Sequence, residues 1–326
     1  MNKKISVKIF TLICLLFLPL TNIRAEGASV SKAECVTEIS SRRFLHEKNA
    51  DVSLPMASTT KILTAIIIIE DCNLDEMITV PREGAGIEGS SVYLKAGDKL
   101  TVRDLLYGLM LRSGNDCAVT LALHHSGSIA RFASVMNRRA EAMGATDSRF
   151  ENPHGLPSEN HYTTARDLSL ISAYAMQNCV FSEIVSCHYY QEKGWQNKNK
   201  MLYTFDGAIG VKTGFTVLAG RCLVTAAQKN GMTVVCVVLN SPEMYERTKE
   251  LLQRVFDRYE LKRICKAGDR IENMQMNEDF CYPLSKDEAV DVRIVRLTAP
   301  SANLGGRMEI YLENNLIFSQ NLYIIE

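Results

Sequence analysis

Several features that reveal function from composition are missing from this 326-residue sequence. Lysine plus arginine and aspartate plus glutamate number 37 each, so no excess charge points to nucleic acid or an acidic surface as a partner. No CxxC pair and no His/Cys cluster with metal-ligand spacing is present, and the sequence therefore offers no metal site. With 46% apolar and 23% charged residues, the chain is neither disordered nor fibrous. Function must come from a local site.

Long hydrophobic runs are also scarce. One run, Ile9–Leu20, follows Lys3, Lys4 and Lys8, and a polar stretch then ends at Ala25. The run is too short for an ordinary membrane-spanning helix, and this arrangement is typical of a secretory signal peptide. No other stretch is long enough to span a membrane. The sequence thus predicts an exported, extracytoplasmic protein, located in the cell wall or periplasm or secreted.

Cysteine usage gives no disulfide framework. The residues after Ala25 include nine cysteines, an odd number for an exported protein. Cys265 and Cys281 could bridge in a C-terminal unit, and the other pairings stay open.

The segment Pro55–Lys61 combines a helix start with a serine and a lysine three residues apart. Proline suits the first turn of a helix, because its φ is already helical and its missing N–H would have no partner there. Ser58 would then lie in the first turn, where unpaired backbone N–H groups can stabilise an oxyanion. Lys61 lies on the same face, and an apolar wall favours its neutral form. The segment predicts a nucleophile with its base.

Two observations weaken this interpretation when the segment is taken alone. Ser29 and Lys32 have the same spacing in a polar segment with no apolar run behind them. The run Ile66–Ile69 that follows Lys61 is β-branched, and such runs also suit a buried strand.

Two further patterns occur downstream. Ser113-Gly114-Asn115 interrupts apolar sequence, which predicts a tight turn between two buried helices. Lys212-Thr213-Gly214 precedes two strand-like runs that are joined by Asn230-Gly231, a strong hairpin signal. We therefore expect the Lys-Thr-Gly triplet on a strand beside an antiparallel hairpin. From about Leu261 onward the chain is predicted to form short strands and turns.

In this order, the three patterns resemble the signature of penicillin-binding proteins and serine β-lactamases. Their flanks are similar to those of the bacterial low-molecular-weight D-alanyl-D-alanine carboxypeptidases, peptidase family S11: Ala57–Lys61, Ser113–Asp116, Asn152–Leu156 and Val211–Thr216. The resemblance implies a transpeptidase-type α/β (α+β) fold, in which an antiparallel sheet is packed with helices beside an all-helical subdomain. The expected organisation is a signal peptide (1–25), a catalytic domain (26–262) and a small all-β domain (263–326).

The resemblance also implies catalytic roles. Ser58 would attack the carbonyl of the penultimate D-Ala of a peptidoglycan stem peptide, and water would hydrolyse the acyl-enzyme. Lys61 would be the base, Ser113 would pass a proton to the leaving amine, and Asn115 would bind the substrate backbone. No cofactor, metal or nucleic acid is implied, whereas β-lactams are expected as covalent inhibitors.

Substrate binding is assigned to the Lys-Thr-Gly strand. Lys212 would supply positive charge, and Thr213 would bind the terminal carboxylate. Gly214 would let the substrate lie beside the strand, and the N–H groups of Phe215 and Ser58 would form the oxyanion hole.

The sequence departs from its relatives at two places. The arginine that often helps to hold the carboxylate aligns with Met244, so we expect Arg247, one helical turn on, or Lys212 with Thr213 to take its place. Many relatives add a C-terminal amphipathic helix that anchors them to the membrane, but this chain stops at Glu326 on a strand pattern. No membrane anchor is therefore predicted.

Two other functions remain open at this stage. A serine β-lactamase of the commonest class needs a loop glutamate that activates the deacylating water, and no convincing Glu-x-x-x-Asn segment is found. A catalytically silent peptidoglycan-binding protein would explain the missing arginine, although the other site residues are intact.

Overall fold

A computed structural model describes residues 31–296 and 303–325 of the chain. The predicted signal peptide lies outside the described residues. The helices are α1 (Lys61–Asp71), α2 (Val102–Leu111), α3 (Asn115–Ser126), α4 (Ile129–Ala142), α5 (Ala165–Met176), α6 (Cys179–Ser186), α7 (Met201–Thr204) and α8 (Met244–Arg258). The strands are β1 (Ala33–Glu38), β2 (Phe44–Lys48), β3 (Met77–Thr79), β4 (Lys99–Thr101), β5 (Tyr189–Tyr190), β6 (Trp195–Gln196), β7 (Lys212–Thr216), β8 (Gly220–Lys229), β9 (Met232–Leu239), β10 (Tyr259–Cys265), β11 (Arg270–Ile271), β12 (Met274–Met276), β13 (Phe280–Ser285), β14 (Val290–Arg296), β15 (Leu304–Leu312) and β16 (Asn315–Ile324).

A five-stranded antiparallel sheet, in the order β2-β1-β9-β8-β7, forms the centre of the larger region. The predicted hairpin joins β8 to β9 through Asn230 and Gly231. Both turn residues have positive φ, 50° and 79°, as a two-residue hairpin turn requires. Strand β7 pairs with β8, with Lys212 opposite Val224, and forms one edge of the sheet. The Lys-Thr-Gly triplet therefore lies beside the hairpin, as the sequence predicts.

Helices cover both faces of this sheet. Strand β9 is therefore apolar on both sides, and its sequence does not alternate between apolar and polar residues. All eight residues of β9 are buried. Val235 and Val237 belong to the apolar cluster that contains residues of α1 and α5, whereas Val234 and Val238 belong to the cluster that contains residues of α8. Successive side chains of a strand point to opposite faces, so alternate residues of β9 serve two different cores.

Helix α1 lies inside the helical region. Every residue from Ile62 to Ile69 is at most 9% exposed, and α1 packs against α2, α3, α4, α5 and α6. A helix that is surrounded in this way needs no polar face, so its sequence lacks a clear amphipathic period. The isoleucine run is thus a helix and not a strand.

Residues 259–296 and 303–325 form the β-rich C-terminal region that the sequence predicts. Strand β10 pairs with β13, and a second five-stranded sheet has the order β11-β12-β16-β15-β14 over a small apolar core. Arg43, just before β2, donates to the Pro283 carbonyl and pairs with Glu288, which joins this region to the central sheet. The predicted domain boundary between residues 262 and 263 falls inside β10.

No single helix among the residues that the structure describes is long and apolar enough to cross a membrane. Helices α5 and α6 meet the length and composition criteria only as a pair, and they enclose an angle of 104°. In the same residues, no three His, Cys, Asp or Glu side chains are grouped so that they could hold a metal ion.

The nine cysteines of the described residues are all free thiols. The possible bridge between Cys265 and Cys281 is therefore wrong. The strand register gives the reason, because β10 and β13 place Cys281 opposite Arg263 and Cys265 opposite Phe280. The two thiols are not paired across the strands, and Cys265 Sγ lies 3.7 Å from the Glu278 carbonyl oxygen instead.

We expect a thiol reductant to leave the free energy of unfolding unchanged, because none of these nine thiols is paired. A disulfide between Cys265 and Cys281 would contribute about 2–4 kcal/mol. Urea unfolding followed by circular dichroism, with and without reductant, measures the difference. A clear loss of stability on reduction would contradict the free-thiol assignment.

Candidate active site

Ser58 lies in a short 3₁₀ turn, Ala57–Thr60, that runs directly into α1. The two threonine hydroxyls of this turn donate to the carbonyl oxygens of Met56 and Ala57, at 2.7 and 2.9 Å. Ala57 has a φ of 49°, a left-handed conformation that costs a non-glycine residue about 1–2 kcal/mol. The turn presents the partly exposed Ser58 at the N-terminal end of a buried helix.

The Lys61 side chain is fully buried, and its amine contacts three separate segments. Its Nζ lies 3.0 Å from Ser58 Oγ, 2.7 Å from Asn115 Oδ1 and 2.6 Å from the His154 carbonyl oxygen. Burial, together with the positive charge of Lys212, lowers the pKa of Lys61 well below its usual value of 10.5. A serine and an amine are thus placed at hydrogen-bonding distance, with the amine biased toward its neutral form.

The partners of Lys61 suit the neutral amine. The His154 carbonyl oxygen can only accept a hydrogen bond, and so can Asn115 Oδ1, whose orientation is fixed because Asn115 Nδ2 donates to the Glu88 carbonyl at 2.6 Å. A neutral amine has two N–H donors and one lone pair. With both donors used, the lone pair faces Ser58 Oγ and can accept its proton. Lys61 can therefore act as a general base.

Ser113 and Asn115 lie in the predicted tight turn, between α2 and α3. Ser113 is 6% exposed and has a φ of 66°, a strained conformation for a side chain other than glycine. Asn115 begins α3 and donates its N–H to the Ser90 carbonyl at 2.7 Å. The turn therefore brings the Ser113 backbone next to the residue that binds the Lys61 amine.

Asp116 holds the loop that crosses this turn, a role that sequence reasoning missed. Its fully buried carboxylate accepts from the N–H groups of Val92 and Leu94, at 3.1 and 3.0 Å, and from Ser91 Oγ at 2.6 Å. The sequence does contain a signal for this role, since Asp116 is a carboxylate inside otherwise apolar sequence. A buried carboxylate needs hydrogen-bond donors around it.

The loop Asn152–Leu156 contacts the other side of the Ala57–Thr60 turn, which we call the nucleophile turn. Gly155 has a φ of 90°, and a Cβ atom built on it would lie 1.9 Å from the Ala57 carbonyl oxygen. Thr64, on α1, donates to the Pro153 carbonyl at 2.7 Å. The loop therefore lies against the turn with no room for a side chain at position 155, and this contact aims the His154 carbonyl at Lys61.

His161 forms a hydrogen bond to the nucleophile turn, a role that sequence reasoning also missed. Its Nδ1 accepts from the Glu151 N–H at 3.0 Å, so its proton is on Nε2, which donates to Thr60 Oγ1 at 2.9 Å. Burial lowers the pKa of His161 to about 4 and that of His154 to about 3. Both rings are neutral at pH 7 and add no positive charge beside Lys61.

Strand β7 lies against the nucleophile turn from the side of the sheet. A Cβ atom on Gly214 would lie 3.0 Å from the Met56 carbonyl oxygen and 3.1 Å from Ser58 N. Lys212 is 2% exposed, and its Nζ donates to the Thr213 carbonyl at 3.1 Å. Burial, and then the charge of Lys198, lower the pKa of Lys212 to about 7. The predicted Lys-Thr-Gly strand is thus beside Ser58.

Lys198 is an additional cation that the sequence did not single out. Its charge lowers the pKa values of both Lys61 and Lys212, which places it close to the site. Its backbone N–H donates to the Leu111 carbonyl at 3.2 Å, just before the Ser113 turn. A lysine in a polar segment carries no sequence signal, and only the fold brings it here.

The Arg247 guanidinium, a candidate for binding the substrate carboxylate, has other partners in the structure. Its Nε and Nη2 donate to the two carboxylate oxygens of Glu34 at 2.8 and 2.9 Å, and its Nη1 donates to Glu250. Glu34 is fully buried on β1 and also contacts His46. The guanidinium is therefore engaged in holding α8 to β1. Met244, at the start of α8, is buried in the apolar cluster on the α8 side of the sheet.

Known proteins are similar to this chain in sequence and in fold. Residues 21–243 match the profile of the D-alanyl-D-alanine carboxypeptidase family, peptidase S11. The D-alanyl-D-alanine carboxypeptidase DacF of Bacillus subtilis is 27% identical over 299 residues, which cover 85% of this chain and 77% of that protein. The D-alanyl-D-alanine carboxypeptidase of Streptomyces sp. strain K15 is 36% identical over 230 residues, which cover 63% and 79%. The crystal structure of penicillin binding protein 5 from Haemophilus influenzae superposes with a TM-score of 0.77 at 27% identity, covering 91% and 97%.

We expect Arg247→Ala to lower the free energy of unfolding by about 3 kcal/mol, because it leaves the buried Glu34 carboxylate with His46 as its remaining partner. Lys249→Ala on the same helix is the control: it removes an exposed pair with Glu246 and should change stability by less than about 1 kcal/mol. Urea unfolding measures both. Equal small effects would contradict the structural role of Arg247.

The stability difference between the native protein and Arg247→Ala should depend on pH, because the Glu34 carboxylate titrates. Burial raises the pKa of Glu34, but hydrogen bonds from His46 and Arg247 outweigh it and lower the pKa to about 2 from a usual 4.5. A carboxylate with a depressed pKa stabilises the fold above the unfolded value. The stability gap between the native protein and Arg247→Ala should therefore shrink as the pH falls from about 4.5 to about 2.

Proposed function

We propose, from the premise that the chain belongs to the D-alanyl-D-alanine carboxypeptidase family of serine peptidases, that Ser58 is its nucleophile. The protein is a serine-type carboxypeptidase that acts outside the cytoplasm on peptidoglycan stem peptides ending in D-Ala-D-Ala, and it binds β-lactams. The observation that carries the assignment of Ser58 is its 3.0 Å contact with the buried Lys61 amine.

Acylation begins with neutral Lys61. Ser58 Oγ attacks the carbonyl carbon of the penultimate D-Ala while its proton passes to Lys61 Nζ. The N–H groups of Ser58 and Phe215 donate to the developing oxyanion, a role supported by the close approach of β7 to Ser58 N. Ser113 gives its hydroxyl proton to the departing D-Ala amine as the C–N bond breaks and takes up the proton that Lys61 received from Ser58, which leaves both groups as they began. Water then hydrolyses the ester and restores Ser58.

The substrate lies along β7, which has an unpaired edge among the described residues. Its terminal carboxylate is held by Thr213 and by the positive charge of Lys212, with Lys198 adding to the same field. Asn115 binds the substrate backbone. Arg247 is left out of this proposal, because its guanidinium is engaged by Glu34.

A β-lactamase of the commonest class needs a loop carboxylate that activates the deacylating water. Glu151 is the nearest candidate in sequence, but its carboxylate accepts from Ser158 Oγ and from the Asn160 N–H on the exposed side of the loop. It is therefore turned toward its own loop rather than toward Ser58. Slow turnover of penicillin is expected.

We also propose the domain division inferred from the sequence. Residues 1–25 direct export and are removed, 26–262 are the catalytic domain, and 263–326 form a β-rich domain. The catalytic assignment is supported by the position of the site residues, which all lie between Ser58 and Phe215. N-terminal sequencing of the exported protein would test the cleavage site.

The proposed activity predicts that the mature protein releases free D-Ala from a peptide ending in Lys-D-Ala-D-Ala, and that Ser58→Ala abolishes the release. Mass spectrometry after mixing with penicillin should show an adduct on the native protein and none on the variant. An unreactive native protein, or equal release by both proteins, would overturn the assignment of Ser58.

We expect Gly155→Ala to slow acylation by penicillin by about 10- to 100-fold, because the new methyl group displaces the Ala57 carbonyl and with it Ser58. Gly127→Ala is a matched control. Gly127 has a similar positive φ of 71° but no atom within 4 Å of its Cβ position, so only backbone strain is added. Stopped-flow acylation rates measure the effect, and equal rates for the two variants would contradict the proposed contact.

The pH profile of kcat/KM should be bell-shaped. Activity rises as Lys61 loses its proton and falls above about 7, where Lys212 loses the charge that binds the carboxylate. Lys212→Arg keeps this charge at all relevant pH values and should remove the falling limb, whatever its absolute rate. A falling limb that is unchanged in Lys212→Arg would exclude Lys212 as its origin.

A further inference from the structure

Strand β14 has an open edge in the C-terminal region. It is the last strand in the order β11-β12-β16-β15-β14, so one side of its backbone faces no other strand among the described residues. It pairs with β15 over seven residues without a register shift, and all seven are at least partly exposed. The opposite edge of the same sheet, β11, is only two residues long. The long free edge of this sheet is therefore β14.

This edge lacks the features that usually prevent an edge strand from pairing. Such strands are kept apart by proline, by a bulge, by shortness, or by a charge that points to the apolar face. The apolar face of β14 consists of Val290, Val292 and Ile294, with no charge between them. Val290 and Ile294 pack against the small C-terminal core, whereas Val292 is 45% exposed. The strand can therefore accept a neighbour that covers Val292.

The opposite face of β14 carries one charge of each sign. The side chains of Asp291 and Arg293 are each half or more exposed, and Arg293 Nε donates to the Asp291 carboxylate at 2.7 Å. The Arg293 guanidinium also lies 4.3 Å from the centre of the Tyr311 ring, which holds it along the face of the sheet. A neighbouring strand must therefore meet a negative charge and a positive charge two residues apart.

A second copy of β14 meets this condition in one register. Two copies that extend one sheet are antiparallel about a two-fold axis perpendicular to the sheet. Because the axis keeps each side chain on its own face, it must pass through a residue and not between two residues. An axis at Asp291 or at Arg293 sets like charges opposite each other, which destabilises a sheet. An axis at Val290 or Ile294 pairs no opposite charges within the strand.

An axis at Val292 satisfies both faces at once. Asp291 of each copy then lies opposite Arg293 of the other, which makes two opposite-charge pairs. On the apolar face, Val292 lies opposite its own copy, and Val290 lies opposite Ile294. The two small apolar cores become continuous across the axis, and the exposed Val292 is covered.

We propose that two copies of this protein associate through antiparallel pairing of their β14 strands, with the two-fold axis at Val292. A single strand pair is small beside the roughly 1,200–2,000 Å² of stable interfaces, so the dimer forms reversibly and depends on protein concentration. Strand β14 contains none of the proposed site residues, and release of D-Ala therefore does not require the dimer.

Sedimentation velocity of the full-length mature protein, at concentrations up to about 1 mM, tests the association. The native protein should change from monomer to dimer as its concentration rises. Val292→Lys sets two ammonium groups opposite each other on the apolar face and should raise the dimer Kd at least about tenfold. Val52→Lys is the matched control, because Val52 is 47% exposed and lies in the catalytic domain. Circular dichroism checks that each variant is folded.

The charge pairs are tested by Asp291→Lys, which sets lysine opposite Arg293 at two places in the dimer. It should raise the dimer Kd by about tenfold or more, and by less at high salt. Asp75→Lys is the control, because it also removes an exposed pair with an arginine, Arg103, on the catalytic domain.

Cross-linking tests the register. In a Cys179→Ser background, which removes an exposed native thiol, Val292→Cys should form a disulfide-linked dimer on mild oxidation. Val295→Cys, at a similarly exposed residue of the same strand, should not, because the two copies of residue 295 would be about 20 Å apart.

A native protein that stays monomeric at every concentration overturns the proposal, whether or not the edge binds a strand of some other protein. A dimer that Val292→Lys and Val52→Lys weaken equally, or that cross-links equally at residues 292 and 295, also overturns it. Release of D-Ala by the monomeric variants tests the proposed function separately, since this inference does not rest on it.

Discussion

The amine of Lys61 is the group on which the site depends. A lysine with no exposed surface loses the hydration that stabilises its charge, so the surrounding protein must either supply a counter-charge or accept a neutral amine. The described structure supplies two acceptors and one hydroxyl, from Asn115, His154 and Ser58, and the charge of Lys212 acts on the amine more strongly than the carboxylate of Asp116 does. These contacts favour the base form, and they also require three distant segments to meet within hydrogen-bonding distance of one atom.

That requirement explains where the chain accepts strain. Ala57 and Ser113 both have positive φ, and each lies immediately before or within the segment that reaches Lys61. Such conformations cost about 1–3 kcal/mol and persist where the surroundings fix them. The surroundings here are specific: Gly155 fits against the Ala57 carbonyl, and Asp116 holds the loop over the Ser113 turn. The strain is thus offset by contacts in the buried interior around α1.

The parts of this site that can be predicted from sequence are the local ones. The three-residue spacing of Ser58 and Lys61 works because one helical turn brings them together, and Lys212 was placed correctly because Asn230-Gly231 fixes the hairpin beside its strand. The isoleucine run was ambiguous, since a helix buried on all sides shows no periodicity. The large-scale fold followed from the order of these patterns and from the resemblance that they carry.

Contacts between residues that are far apart in the sequence could not be predicted from local patterns. Glu34 and Arg247 are 213 residues apart, and nothing in the sequence around either one shows that their side chains meet. His154 contributes through a carbonyl oxygen, which every residue possesses, so its side chain gives no signal. Lys198 acts through its charge, which lowers the pKa values of Lys61 and Lys212. Each of these roles is set by tertiary position and not by residue type.

Charge is balanced over the sequence but not around Ser58. Lysine plus arginine and aspartate plus glutamate number 37 each, yet the charges of Lys212 and Lys198 both lower the pKa of Lys61, and that of Lys198 also lowers the pKa of Lys212. Positive charge at the Lys-Thr-Gly strand favours a ligand whose negative end lies there. A peptide with a C-terminal carboxylate has that polarity. In the proposed function, charge therefore selects the direction in which the substrate lies along β7.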